Sequence, residues 1–271
     1  MAVRRLPESV DLPLGVQIEK IEVGRILLGK SNNPVVESGA VSYRFDHQNH
    51  KLNIVSLRLP WHNFSGNATL NTATPFKLDG QIVGSGELDG KQADSAIAMN
   101  GSLQNPELLV QLDNGDSHFA VNGKLRPFEP LLNRKIVNLN IDGRQINPEW
   151  FDPSLPAADL VFNLALNPAE EADTLAGLLE VRNQAPAPIN GNGIPVAGIN
   201  GKLKVDTSGK LHLYNVDTEL AAGGRITFNG NIDSANQNMA VDAAVQQFKL
   251  QDILKQKLDL SLDGDIKLSG S

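Results

Sequence analysis

The chain has 271 residues, a net charge of −7 and no cysteine, with 41% hydrophobic residues but only 5% aromatics. That length suits one large all-β body or two ordinary domains, and the missing thiols exclude disulfides and thiolate metal sites. The charge leaves no basic stripe for nucleic acid and works against binding to an anionic membrane surface.

In chain order, residues 16–28 read as a strand, with Ile18 followed by Ile21 and Val23. Val41, Tyr43 and Phe45 alternate with polar residues, as one half-buried face of a strand requires. DHQNH, residues 46–50, is a polar turn. Leu52 and Ile54 share one parity while Leu57 and Leu59 take the other, so a bulge is expected near Val55-Ser56. Phe64 to Leu70, Leu78 to Leu88 and Ile97 to Leu103 alternate next. Leu108, Val110 and Leu112 then lead into the turn at Asp113–Asp116. Phe119 to Leu125 and Val137 to Gly143 follow, although Ile146 falls on the wrong face. Leu160 to Leu166 alternates strictly, then Ile199 to Val205. Leu211, Leu213 and Val216 come after a turn at 207–210. Ile226 to Ile232, Met239 to Val245 and Leu258 to Leu268 complete the series. Short helices are expected in PFEPLLNRK, NPEWFDP and FKLQDILKQK, and a somewhat longer one in EEADTLAGLLEV. The total is about fifteen strands of ordinary length, which predicts an all-β fold.

A glycine recurs on the apolar parity of these strands, usually preceded by Asn or Asp. Asn100-Gly101, Asn122-Gly123, Asn200-Gly201, Asn229-Gly230 and Asp263-Gly264 are examples, at irregular spacing. Such pairs usually mark two-residue hairpin turns. A turn at Asp263-Gly264 would place Leu262 opposite Asp265 and Leu260 opposite Lys267, mixing charge with leucine on one face. A strand running through the pair keeps Leu260, Leu262, Gly264, Ile266 and Leu268 together. The parity therefore predicts glycines within strands, where they allow bends, bulges or close approach of backbones.

Motifs of catalysis are sparse. Gly84-Ser85-Gly86 and Gly191-Asn192-Gly193 open no helix and fit neither phosphate-binding pattern. His47, His50 and His62 form a near cluster beside Asp46 that lacks ligand spacing for a metal. Glu170, Glu171 and Asp173 read as a solvated edge. The chain reads as a non-enzyme without metal or cofactor. Residues 184–198, QAPAPINGNGIPVAG, are the candidate for a soft seam in an otherwise single segment spanning 1–271. No apolar run approaches the roughly 18–20 residues of a membrane-spanning helix. MAVRRLPESVDLPLG lacks a signal-peptide core, and both termini read as internal to a longer protein.

Several stretches share one grammar: a short apolar strand, a loop with Leu or Pro, then strict alternation. They are NLNIDGRQINPEWFDPSLPAADLVFNLAL (138–166), VQQFKLQDILKQKLDLSLDGDIKLSG (245–270), GKLRPFEPLLNRKIVNLNIDG (123–143) and LPLGVQIEKIEVGRILLGK (12–30). This grammar resembles the AsmA-like superfamily of Gram-negative envelope proteins, and within it the TamB family of translocation and assembly modules. The resemblance spans most of the chain and rests on no single invariant residue. It implies a long, twisted, folded-over β-sheet, a β-taco or groove arranged as a solenoid-like array, with an apolar concave interior. It implies a periplasmic protein anchored in the inner membrane by a segment outside this sequence. It also implies phospholipid acyl chains as cargo and an outer-membrane barrel of the Omp85 class as partner.

Under that expectation the groove lining comprises Met99, Gly101, Phe119, Val121, Leu139 and Ile141 in the first half. Leu160, Phe162, Leu164, Leu203, Val205, Leu211, Leu213, Phe228, Leu260, Leu262, Ile266 and Leu268 continue it. The same residues also fit the core of a closed sandwich or solenoid. Strand templating for outer-membrane protein biogenesis and a secreted β-solenoid adhesin are the competing functions. Trp61 and Trp150 stand isolated, which argues against the aromatic platforms of an adhesin.

Overall fold

The computed structural model describes residues 8–27, 34–88, 90–150, 152, 154–171, 173–208, 210–233, 236, 238–249, 253–254 and 261–270. The strands are β1 (Val16–Val23), β2 (Ile26–Leu27), β3 (Pro34–Val36), β4 (Ser38–Phe45), β5 (Asn49–Arg58), β6 (His62–Asn71), β7 (Lys77–Leu88), β8 (Lys91–Ser102), β9 (Asn105–Asn114) and β10 (Ser117–Leu125). A one-turn helix, α1 (Leu132–Lys135), precedes β11 (Ile136–Ile146), β12 (Leu160–Pro168), β13 (Thr174–Asn183), β14 (Val196–Asp206), β15 (Lys210–Leu220), β16 (Arg225–Asp233), β17 (Asn238–Lys249) and β18 (Ser261–Gly270). Apart from the separate β2–β3 ribbon, the strands form a sixteen-stranded antiparallel sheet in chain order. Short turns make each strand pair with the next, which is the antiparallel arrangement a tight connection permits. Among the described residues no helix is long and apolar enough to cross a membrane.

The chain divides into two compact units, residues 1–116 with 120–130 and residues 117–119 with 131–271. The division falls around β10, and the Pro/Gly/Asn loop at 184–198 lies inside the second unit. That loop is well tied down: Ala157 bridges Gly193, Asn183 Nδ2 donates to the Ile194 carbonyl, and Ala187 N–H does likewise.

Asp263-Gly264 lies within β18, with Gly264 opposite Val245. Gly123, Gly201 and Gly230 are likewise inside strands. Asn100-Gly101 is also within a strand, β8, with Gly101 opposite Leu78 and Pro106. Gly101 takes φ +103° one residue before the end of β8, and Leu103 lies in the hairpin turn to β9. A positive φ suits glycine, which lets β8 bend here just before the turn at Leu103.

The parity slips are β-bulges. Three residues advance on one strand while two advance on its neighbour, and the apolar side returns to its original face. Leu213 and Val216 pair with Gly230 and Phe228; Val245 and Phe248 pair with Gly264 and Leu262. Gly143 and Ile146 pair with Phe162 and Leu160, which brings Ile146 back to the apolar face and buries it. The expected bulge in β5 lies between Ile54 and Leu57, and β1 has one between Ile18 and Ile21. In the second unit the bulged residue is left-handed and amide-bearing: Gln145, Asn215 and Gln247 have φ of +51°, +48° and +49°.

Two Asn/Asp-Gly pairs serve these bulges. Asn215 N–H donates to Asn229 Oδ1 at 2.9 Å, and Gln247 N–H donates to Asp263 Oδ1 at 2.7 Å. The bulge leaves an N–H outside the ladder, and the Asx side chain on the next strand accepts it.

EEADTLAGLLEV is not helical. From Thr174 it forms β13, whose Leu175, Gly177, Leu179 and Val181 alternate on one face and pair with both β12 and β14. Cross-strand partners on two sides override a local helix preference. PFEPLLNRK contributes α1, and NPEWFDP the single turn Pro148–Trp150. Phe248 and Lys249 end β17, and most of the helix expected after them lies outside the described residues.

Candidate functional site

Cross-strand partners point to the same side of a sheet, so the pairings show which residues share a face. In the second unit one rung runs Leu139, Leu166, Gly177, Leu203, Leu213, Gly230, Val241 and Leu268 across eight strands. A parallel rung contains Ile141, Leu164, Leu179 and Gly201, then Val216, Phe228, Ala243 and Ile266. Val216 sits over Gly201, where an added Cβ would approach it at 2.8 Å. Phe162 and Leu160 lie on further rungs above these, and Val205 and Leu211 on one below. None of these positions is charged. The two polar ones, Asn183 and Thr218, are buried, and Asn183 satisfies backbone groups of Asp159 and Ala185.

This face is only partly covered. Leu203 is 7% exposed, but Leu262, Ile266 and Leu268 on β18 are 50%, 44% and 55% exposed. The other expected lining residues of this unit, from Leu139 to Phe228, are half-buried. The Phe119 ring centroid is 6.4 Å from that of Phe162. Leu260 lies outside the described residues. The outer face is polar, with ion pairs such as Lys204–Glu171 at 2.7 Å. The adjacent Glu171 carboxylate holds the Lys204 ammonium above its usual pKa range.

Met99, Gly101 and Val121 belong to the first unit, which has an apolar face of its own. There Ile18, Tyr43, Leu52, Ala68, Gly80, Met99 and Leu108 form one rung, and Ile21, Val41, Ile54, Gly66, Ile82, Ile97 and Val110 the next. Met99 and Gly101 are exposed, and Val121 is half-buried in β10.

Polar groups close both ends of the first unit's face. At one end His50 Nδ1 pairs with Tyr43 Oη at 2.6 Å and its Nε2 with the Val10 carbonyl at 2.7 Å. Both ring nitrogens are thus engaged within the protein. Among the described residues no group of three His, Asp or Glu stands close enough to hold a metal. At the other end His62 is 1% exposed, with Nε2 at 2.8 Å from Ser95 Oγ. Its ring packs against Trp61 and Phe64, with centroids 4.9 and 4.7 Å away. Burial depresses the His62 pKa from 6.5, against the weaker opposing pull of the Gly84 backbone and the Asp94 carboxylate. Grouping His62 with His47 and His50 by proximity in sequence missed its place. Its shared parity with Phe64 and Gly66 is the signal that puts it on the apolar face. Compared with protein-family models, with curated proteins and with solved structures, this chain matches none.

Proposed function

We propose that the chain is part of a Gram-negative envelope protein, anchored in the inner membrane, whose apolar sheet faces hold phospholipid acyl chains and pass them across the periplasm. The observation that supports this most is the uncharged face of the second unit, eight strands wide and partly open to solvent. A surface of aliphatic rungs without charged anchors suits hydrocarbon tails, since burial of apolar area at roughly 25 cal/mol/Å² rewards lipid as well as protein. An Omp85-class barrel partner and a role in outer-membrane protein assembly belong to the same reading.

A photo-crosslinking residue at Leu164 or Leu213 is expected to capture phospholipid in cells, and one at His212 on the opposite face to capture none. Absence of lipid adducts at every position on the apolar rungs would overturn the proposal. The exposure of all ten residues of β18 favours a second reading, in which a client strand docks along this strand. Crosslinks from β18 to nascent barrel proteins, lost when Ile266 is replaced by proline, would support that reading instead.

A further inference from the structure

His62 sits where the first unit's sheet has no side chains of its own. On β7, Gly84 and Gly86 face it, and an added Cβ at either position would lie 2.6 Å from the imidazole ring. The ring therefore fills a gap that two glycines leave, wedged against Trp61 and Phe64. Ser95 Oγ engages Nε2, while Nδ1 finds no hydrogen-bond partner among the described residues. We propose that His62 is a pH-sensitive plug, and that its protonation lifts the ring off Gly84 and Gly86 and opens the start of β6.

The neutral ring tolerates this environment because it needs only one donor and one acceptor, and one of those is met. The imidazolium has two donors and a full charge, and an unpaired charge in an apolar site carries a desolvation cost that the neutral ring avoids. The charged groups nearby compensate little. Asp94 on β8 and Glu87 on β7 belong to the opposite parity and face solvent, and Arg58 on β5 is committed to Glu37 at 3.1 Å. Trp61 and Phe64 offer their rings to a cation, an attraction weaker than the desolvation it opposes. The segment that must yield is lightly tethered. Leu59 N–H donates to the His62 carbonyl at 2.8 Å and Glu87 N–H to the Trp61 carbonyl at 3.3 Å. With the ring displaced, Phe64 and Trp61 lose their neighbour, and apolar surface at this end of the face becomes accessible.

The sign follows from linkage. The folded state releases the His62 proton more readily than the unfolded one, so the closed form is at full strength above pH 6.5. It weakens as pH falls from 6.5 toward the lower pKa of His62 in the folded state. Proton titration of the full chain by NMR is the test, with the His62 resonance assigned by its loss in His62→Phe. Trp61 fluorescence is followed in parallel in a Trp150→Phe background. Hydrogen-exchange protection at the start of β6 and at 84–86 is expected to fall as pH drops below 6.5, by at most about tenfold per pH unit. The Trp61 emission should shift red over the same range. His62→Phe keeps a ring over the glycines without a titrating group and should abolish both changes; if it folds poorly, His62→Gln is read in the same way. Wild type and the variant showing the same pH course, or His62 titrating at 6.5 with Trp61 unchanged, would overturn the proposal.

Discussion

Glycine plays two different parts in these strands, and the distinction sets the cost of substitution. At Gly66 an added Cβ would lie 2.2 Å from the Gln81 carbonyl oxygen and 2.7 Å from Ile82 Cα, so backbone must move. At Gly264 nothing lies within 4 Å. Gly66→Ala is therefore expected to destabilise the first unit by about 1–3 kcal/mol, the scale of overpacking. Gly264→Ala should change stability by less than about 0.5 kcal/mol, as an open surface position does. Urea denaturation of both variants checks the contrast, and equal effects would contradict this geometry. The Asx acceptors can be tested in the same way. Asn229→Ala leaves the Asn215 N–H of the bulge without its 2.9 Å partner and should cost about 0.5–1.5 kcal/mol.

At the scale of the element, a bulge is what keeps one face apolar along a strand that would otherwise change sides. Beyond Asn215, the side chains of Val216, Thr218 and Leu220 are all buried. Deleting Asn215 removes the extra residue and turns those three toward the opposite side, because strand parity has a period of two. The second unit should then lose cooperative unfolding, measured by near-UV circular dichroism against urea. A deletion that left the transition intact would show that β15 tolerates either register. Much of this was legible beforehand. Strict alternation located the strands from Phe64 onward except β13, and parity alone placed Gly264 inside β18. The bulge expected near Val55-Ser56 lies between Ile54 and Leu57, whereas those at Ile18–Ile21 and Leu213–Val216 emerge only from the pairing. One element was hidden for an identifiable reason. β13 contains Leu178 and Leu179 side by side and follows an acidic run, which mimics a helix until its neighbours supply cross-strand partners. Gly101 shares its local spelling with Gly201 and also lies within a strand, but its positive φ is set by the turn at Leu103 that follows it. His62 was obscured because nearness in sequence grouped it with His47 and His50, while the packing that claims it comes from glycines more than twenty residues later.

For the whole molecule, the two compact units each carry one tryptophan, Trp61 in the first and Trp150 in the second. A chain of this kind need not unfold in one step, and the two indoles report separately on where it gives way. Leu203 provides the test because it is buried at a central rung of the second unit, between Gly177 and Leu213. Truncating it to alanine removes three carbons from a site whose glycine neighbour cannot fill the space, and such changes cost about 2–5 kcal/mol. Leu203→Ala is expected to lower the urea midpoint of the Trp150 signal, read in a Trp61→Phe background. The Trp61 midpoint, read in a Trp150→Phe background, should stay within experimental spread of its parent. If both signals moved together by the same free energy, the sheet would be a single cooperative body, and the rungs of one unit would support those of the other.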